Sequence, residues 1–288
     1  MFRPARSGRQ NIRCWRPRPA PMSKFVLSLL LAAVLSGTAQ AAPPQRVIST
    51  NLCADQLVLG LLPRDRIAAV SPLAADPSLS AAASTARGLP VVMPSAEDVI
   101  RHRPDLVVAG SFRERKAAEI VARQGIAVHR LPAPDSLAAT HAMIRALAAR
   151  LEVPEAGDAM IADLTRQLAD AQASGGMGRT ALVWRPNGYT SGPQSISGEI
   201  LAAVGFRNLA GDLGVSRSGT LSVEAVLAAK PDVLVLDEHM NQATSRAQAL
   251  VVHPALAALA AERRRVPTAA WICAGPSLAD AARALAAS

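Results

Sequence analysis

The chain has 288 residues, half of them apolar and 18% charged, enough for one large domain or two ordinary ones and for a substantial hydrophobic core. Its formal charge of +9 suggests a nucleic-acid binder until the charge is located. Residues 1 to 41 hold seven Arg and Lys and no acid, leaving 24 basic against 22 acidic residues, or +2, for the remainder. A body so nearly neutral lacks the basic footprint that phosphate backbones demand, so no nucleic-acid partner is expected.

From Met22 the chain reads MSKFVLSLLLAAVLSGTAQAAPP: a lysine, an apolar run from Phe25 to Leu35, then Ala39-Gln40-Ala41 before Ala42. This is the pattern of a secretory signal peptide with an A-x-A cleavage site, and its apolar run is too short to span a bilayer. Residues 1–41 are therefore expected to be an N-terminal extension and signal peptide, removed near Ala41. The Arg- and Pro-rich residues 1–21 precede a complete signal, which leaves Met1 and Met22 as alternative translation starts. Leu35-Ser36-Gly37 is followed by Thr38 where a lipoprotein needs cysteine, so the processed chain is expected to be soluble.

After the leader, short apolar runs alternate with amphipathic ones. Val47-Ile48, Ile67 to Val70, Val91-Val92 and Leu106 to Ala109 read as strands; Ala54 to Leu62 and Glu114 to Gln124 read as helices, the latter stopped by Gly125. Ala127 to Leu131 returns as a strand and completes a first lobe, residues 42–152. Two helical stretches follow. Ser136 to Arg150 is one; the other, in the segment 153–176, opens at Pro154 and carries Met160, Leu164, Leu168 and Ala171 on one face. Gly176-Met177-Gly178-Arg179-Thr180 lacks the Lys and the spacing of a phosphate loop and reads as a turn. The second lobe, residues 177–288, is expected to hold strands at Thr180 to Trp184, Val233 to Leu236 and Val266 to Ile272, with helices near Ser195 to Val204 and from Ser277.

One unit occurs twice. SAEDVIRHRPDLVVAG from Ser95 and SVEAVLAAKPDVLVLD from Ser222 share a capped helix, a Pro-Asp break and a buried strand in the same register. Two distant copies imply two similar lobes rather than a solenoid. The expected fold class is α/β: two Rossmann-like lobes with mainly parallel sheets joined by a single long α-helix. In open sheets of this kind ligands bind beyond the carboxyl ends of the strands, which directs attention to the loops after Ile48, Ala109, Trp184, Leu236 and Ile272.

Several features together carry a family likeness: the start VISTNLCADQLVLGLL, the two E-x-V-x-x-x-K/R-P-D units, the segment TSGPQSISGEILAAVGFRNLA, and the closing strand and helix. From Arg46 onward the chain resembles the periplasmic substrate-binding proteins of ABC importers for iron chelates and vitamin B12, class III, of the helical-backbone type. The resemblance implies a soluble periplasmic monomer that captures an iron-siderophore, corrinoid or related metal-chelate between its lobes and delivers it to an inner-membrane ABC permease. It implies no cofactor beyond the iron or cobalt of the ligand. It also places acidic residues on each lobe against permease arginines, and Glu97 and Glu224 match those positions. Both glutamates also suit the first turn of a helix capped by Ser95 or Ser222. An aromatic that family members often present after the second strand is Leu73 here, which counts against a corrinoid.

The ligand-facing candidates are Asn51, Cys53 and Asp55 after the first strand, where helix-start amides favour an anionic group, although Asn51 and Asp55 could equally cap that helix. Trp184 and Tyr189, with Arg185 between them, follow a second-lobe strand; these two aromatics and Trp271 suit a flat ligand, with core packing as the alternative for either Trp. Arg113 is a candidate for neutralising a ligand carboxylate or phosphate, whereas Arg115 reads as solvated. His102, His129, His141, His239 and His253 are scattered without zinc-binding spacing, so no metal site is expected. Cys53 and Cys273 leave three readings open: a disulfide that pins the cleft, free thiols that touch metal or ligand, or two small buried hydrophobes. No Gly-x-Ser-x-Gly elbow or P-loop is present, so no enzyme is expected. The alternatives are a periplasmic thiol-dependent metal- or haem-handling protein or enzyme on the same fold, and a sensor or adaptor that signals rather than transports.

Overall fold

The computed structural model describes residues 42–111, 114–172, 175–238 and 245–287, and Pro43–Ser288 forms a single body. Its order begins β1 (Val47–Ser49), α1 (Leu52–Leu61), β2 (Ile67–Ala69), α2 (Ala96–Arg101), β3 (Leu106–Ala109), α3 (Arg115–Arg123), β4 (Ala127–Arg130) and α4 (Leu137–Arg150). It continues with α5 (Pro154–Gln172), β5 (Thr180–Trp184), β6 (Tyr189–Ser191), α6 (Ile196–Ala203), β7 (Arg207–Asn208), β8 (Ser218–Thr220), α7 (Val223–Ala229), β9 (Val233–Asp237), β10 (Glu262–Val266), α8 (Thr268–Trp271) and α9 (Leu278–Ala286). Single-turn helices also occupy Ala83–Ala86, Arg246–Ala249 and Pro254–Ala257.

The strands form two parallel four-stranded sheets, β2-β1-β3-β4 and β7-β5-β9-β10, and a small antiparallel pair of β6 with β8. Numbered along the chain within each sheet, both large sheets read second, first, third, fourth, so the repeated sequence unit reflects a repeated topology. In both lobes its strand, β3 or β9, lies in third place beside the first, β1 or β5. Every residue of β3 and β9 is buried, as helices on both faces of a parallel sheet require.

The sequence places a final strand at Val266 to Ile272, and the structure corrects this. The strand is Glu262–Val266; Pro267 ends it, and Thr268–Trp271 is a helical turn. The run Glu-Arg-Arg-Arg hides the strand because β10 is an edge, where outward-facing charges are tolerated and discourage further pairing. Arg264, the inward residue of that run, is buried and satisfied by Glu262 at 2.5 Å and by the Leu285 carbonyl. Val91-Val92 similarly reduces to one parallel bridge, Val70 with Val91.

Helix α5 links the lobes. Its 19 residues extend about 28 Å at 1.5 Å per residue. Ala156, Met160 and Ile161 pack into the first lobe's core, and Leu164, Leu168 and Ala171 into the second's. Gly157 lets α5 lie close on α4, since a Cβ there would stand 2.5 Å from the Ala148 methyl. The helix is thus anchored in both cores.

Candidate functional site

In each sheet the chain order reverses between the first and third strands, and the crevice beyond the carboxyl ends at this switch point is where a ligand fits. On the first lobe that crevice is walled by the start of α1. Asn51 is extended (φ −143°, ψ 138°), and its Oδ1 accepts the Cys53 N–H at 3.0 Å, so it caps the helix. Gly110, after β3, leaves room for Asn51, because an added Cβ would be 3.0 Å from its Nδ2. On the second lobe Ser195 caps α6 by accepting the Gly198 N–H at 3.1 Å. Cap, cap+2 and cap+4 are Asn51, Cys53 and Asp55 in one lobe and Ser195, Ser197 and Glu199 in the other.

Between these helix starts lies a cavity of about 330 Å³, at the small end of ligand-pocket volumes. The first lobe supplies Asn51, Cys53, Gly110, Ser111 and Met143, with the Leu131-to-Pro134 segment; the second supplies Ile196, Ser197, Trp271, Ile272 and Ala274. Two positive helix ends therefore face the cavity from opposite walls. Behind the second wall, Arg185 donates to Ser191 Oγ at 3.1 Å and Ser197 Oγ at 3.4 Å and lies over the Trp271 ring, 4.5 Å from its centre. Burial pulls its guanidinium pKa down, and the Asp237 charge opposes that shift. Asp237 is itself buried and accepts the Trp271 indole N–H at 3.0 Å and the Thr268 hydroxyl. Trp271 is thereby fixed at its N–H and on a face. The wall thus includes a mostly buried indole backed by a desolvated cation.

Cys53 and Cys273 form a disulfide, with their Cα atoms 5.2 Å apart and 220 residues between them in sequence. Of the three readings the sequence left open, the structure takes the first: the bond joins the start of α1, where Cys53 lines the cavity, to the buried Cys273 in the second-lobe segment after α8.

Three expected ligand contacts lie elsewhere. Asp55 is wholly buried, and its carboxylate accepts the Ser71 N–H at 3.0 Å and the Ser71 hydroxyl at 2.5 Å. It fastens α1 to the segment after β2. Burial, partly offset by these bonds, raises its pKa to about 6. Trp184 is also wholly buried in the second lobe's core, donating its indole N–H to the Leu250 carbonyl at 3.2 Å. Tyr189 is exposed on β6 opposite Thr220 and is not part of the cavity wall. Arg113 and His239 lie outside the described residues. Arg115 is exposed and pairs with Glu119 at 3.5 Å. Asn51, Cys53, Trp271 and Cys273 are the candidates brought together, the first three on the cavity surface. Among the described residues no three His, Cys, Asp or Glu come near enough to hold a metal ion.

Of three larger depressions, one of about 400 Å³ lies beside Lys230 and Leu259, and two of about 700 and 590 Å³ run along α5 rather than at strand ends. The latter two are open grooves flanked by Asp163, Gln167 and Arg283, and neither reaches the switch points.

Residues 47–266 match the periplasmic binding protein family. The chain belongs to that family. Among curated proteins, a cobalamin-binding protein of Halobacterium salinarum is 27% identical over 213 residues, covering 72% of this chain and 58% of the relative's own length. Among solved structures, the apo form of the periplasmic heme-binding protein RhuT from Roseiflexus sp. RS-1 superposes with a TM-score of 0.67 at 22% identity, covering 84% of this chain and 96% of that one. A periplasmic heme-binding protein from Pseudomonas aeruginosa gives 0.63 at 24%, covering 84% and 91%, and the vitamin B12-binding protein BtuF of Vibrio cholerae gives 0.61 at 19%, covering 85% and 96%. At these identities the structural likeness is one of fold.

In this periplasmic binding protein, Glu97 and Glu224 hold equivalent stations, each two residues past a serine cap at the start of the helix leading into the third strand of its lobe. Both are exposed. Glu97 pairs with Arg101 at 3.0 Å across one helical turn, and hydrogen bonds from its own backbone and from Ser222 lower the Glu224 pKa. The cavity residues not singled out from sequence include Ser197 and the Pro132-Ala133-Pro134 run. The latter follows a strand end, and the carboxyl-end rule applied to β4 would have found it. Ser197 carries no signal until α6 is seen to repeat α1.

Proposed function

We propose that this protein is the periplasmic receptor of an ABC importer, capturing a metal-chelate between its lobes and handing it to the inner-membrane permease without covalent chemistry. One observation carries the reading: a cavity at the paired switch points of two duplicated lobes, walled by two helix N-termini and the Arg185-backed Trp271, in a chain of the periplasmic binding protein family. Relatives named for cobalamin and heme suggest the ligand class, and the electropositive wall favours a flat chelate with acidic groups, as in a haem-like macrocycle. The thiol-dependent alternative is disfavoured because both cysteines are consumed in the disulfide. Export by the leader and cleavage near Ala41 belong to this reading; among the described residues no helix is long and apolar enough to cross a membrane.

A thermal-shift screen of the chain from Ala42 against hemin, corrinoids and ferric siderophores tests it, because a ligand that binds only the folded state raises apparent stability. A shift that saturates with one of these classes supports the receptor; no shift with any of them removes the ligand assignment. Charge reversal at Glu97 and Glu224 should then abolish uptake while leaving that shift unchanged, as expected of residues that steer docking and not capture.

A further inference from the structure

Besides α5, two bridges related by the internal repeat join the lobes among the described residues, and they differ in strength. On one side Cys53, in the first turn of α1, is bonded to Cys273, seven residues beyond Val266 at the end of β10. On the other side Glu199, in the first turn of α6, accepts the Leu137 N–H at 2.6 Å, seven residues beyond Arg130 at the end of β4. Each bridge thus joins the first helix of one lobe to the segment after the fourth strand of the other. Asp135 and Arg217 pair beside the second bridge, both largely exposed. Beside the first, Gly275 packs on Leu57, with 3.5 Å between its Cβ direction and the leucine methyl.

These bridges cannot yield alike. A non-covalent bridge, in which a carboxylate holds one backbone N–H, Leu137 packs on the second lobe's core and an exposed ion pair lies beside them, opens and recloses reversibly, whereas a disulfide parts only by thiol exchange or reduction. We propose that the Cys53–Cys273 bond is a fixed pivot and that the lobes separate only through the Glu199–Leu137 bridge. This deepens the receptor reading above and rests on it for the ligand. Asn51 and Trp271, next to the pivot, then keep a constant separation, while Pro132 to Pro134 and Ser197, on the yielding side, move. The disulfide becomes a specificity determinant: the part of a ligand between Asn51 and Trp271 must be thin and flat, and a globular chelate is refused.

The test compares the oxidised protein with the Cys53→Ser/Cys273→Ser variant, and, should that variant not fold, with folded wild type reduced by a phosphine. Amide exchange is followed by mass spectrometry on peptides covering 134–140 and 271–277, without ligand. In the oxidised protein 134–140 should exchange at least tenfold faster than 271–277, and loss of the bond should bring 271–277 up to a similar rate. Equal rates in the oxidised protein, or unchanged protection of 271–277 after the bond is lost, overturn the pivot. In titrations, the oxidised protein should prefer hemin over a globular ferric trihydroxamate by tenfold or more, and loss of the bond should cut this preference below threefold; an unchanged preference overturns the specificity role. If neither chelate binds either form, the ligand reading falls, and the exchange rates still decide the pivot.

Discussion

The Arg185 guanidinium carbon lies 4.5 Å from the centre of the Trp271 ring, and both side chains converge on Asp237, Trp271 by a hydrogen bond and Arg185 by charge. A cation, an indole and a carboxylate so arranged hold one another in place with little water, and they do so immediately behind the cavity.

Removing the cation should therefore damage both stability and the wall. Arg185→Leu removes the cation stacked on Trp271 and the donors to the Ser191 and Ser197 hydroxyls, a change that costs about 1–3 kcal/mol. Arg185→Lys keeps the charge but not the planar stacking and should recover only part of this loss. Urea unfolding of the three proteins checks the order; equal stability of wild type and Arg185→Leu would show that the pair is not coupled.

The two tryptophans are both core residues, and they should differ in what they do to binding. Trp184→Phe loses one hydrogen bond and part of a filled core, lowering stability by roughly 1–3 kcal/mol while ligand affinity stays within twofold. Trp271→Ala should lower stability by about 3–5 kcal/mol, since the ring is mostly buried in the second lobe's core, and should weaken chelate binding by the folded protein at least tenfold. Titration by fluorescence quenching reads both, and a Trp184→Phe protein that binds as poorly as Trp271→Ala would place Trp184 in the site after all.

Asp55 gives the protein a dependence on acid. Its folded pKa of about 6 lies above the ordinary 3.8, so between these values the folded state binds more protons than the unfolded chain. Stability from this group is fully present below pH ~4 and is lost as pH rises through 6, with an amplitude of about 3 kcal/mol from the size of the shift. Asp55→Asn, which stays neutral, should flatten the pH 4–6 slope of the unfolding free energy; an unaltered slope would assign it to other groups.

The disulfide closes a loop of 220 residues, long enough that its constraint on the unfolded chain is near the upper end of the usual range. Reduction should lower stability by about 3–5 kcal/mol, read as a shift of the urea midpoint with and without a phosphine reductant. A shift below ~1 kcal/mol would mean that the unfolded chain is already compact or that the native bond is strained.

Much of the architecture was legible because it rests on local rules. Ser95, Ser136, Ser195 and Ser222 all cap helices, Gly125 takes φ +80° where α3 stops, and the apolar strands β3 and β9 are buried throughout. The duplicated unit announced two equivalent lobes. Asn51 and Cys53 line the cavity where the strand-end rule directs attention, whereas Trp271 was reached through a strand, Val266 to Ile272, that the structure replaces with β10 and α8. Asp55 and Trp184 obeyed the same rule in sequence and yet point into the interior, since which way a side chain turns depends on what packs against it: Ser71 for one and Leu250 for the other.

The sequence alone determined most of the strands and helices, the repeat and the strand ends at which to look for a cleft, because capping, periodicity and turn chemistry act over a few residues. The tertiary structure decided that Cys53 and Cys273 meet, that Arg185 backs Trp271 and that Arg264 lies inside an edge strand. These facts depend on approaches across 220, 86 and 21 residues, and no local propensity encodes such distances.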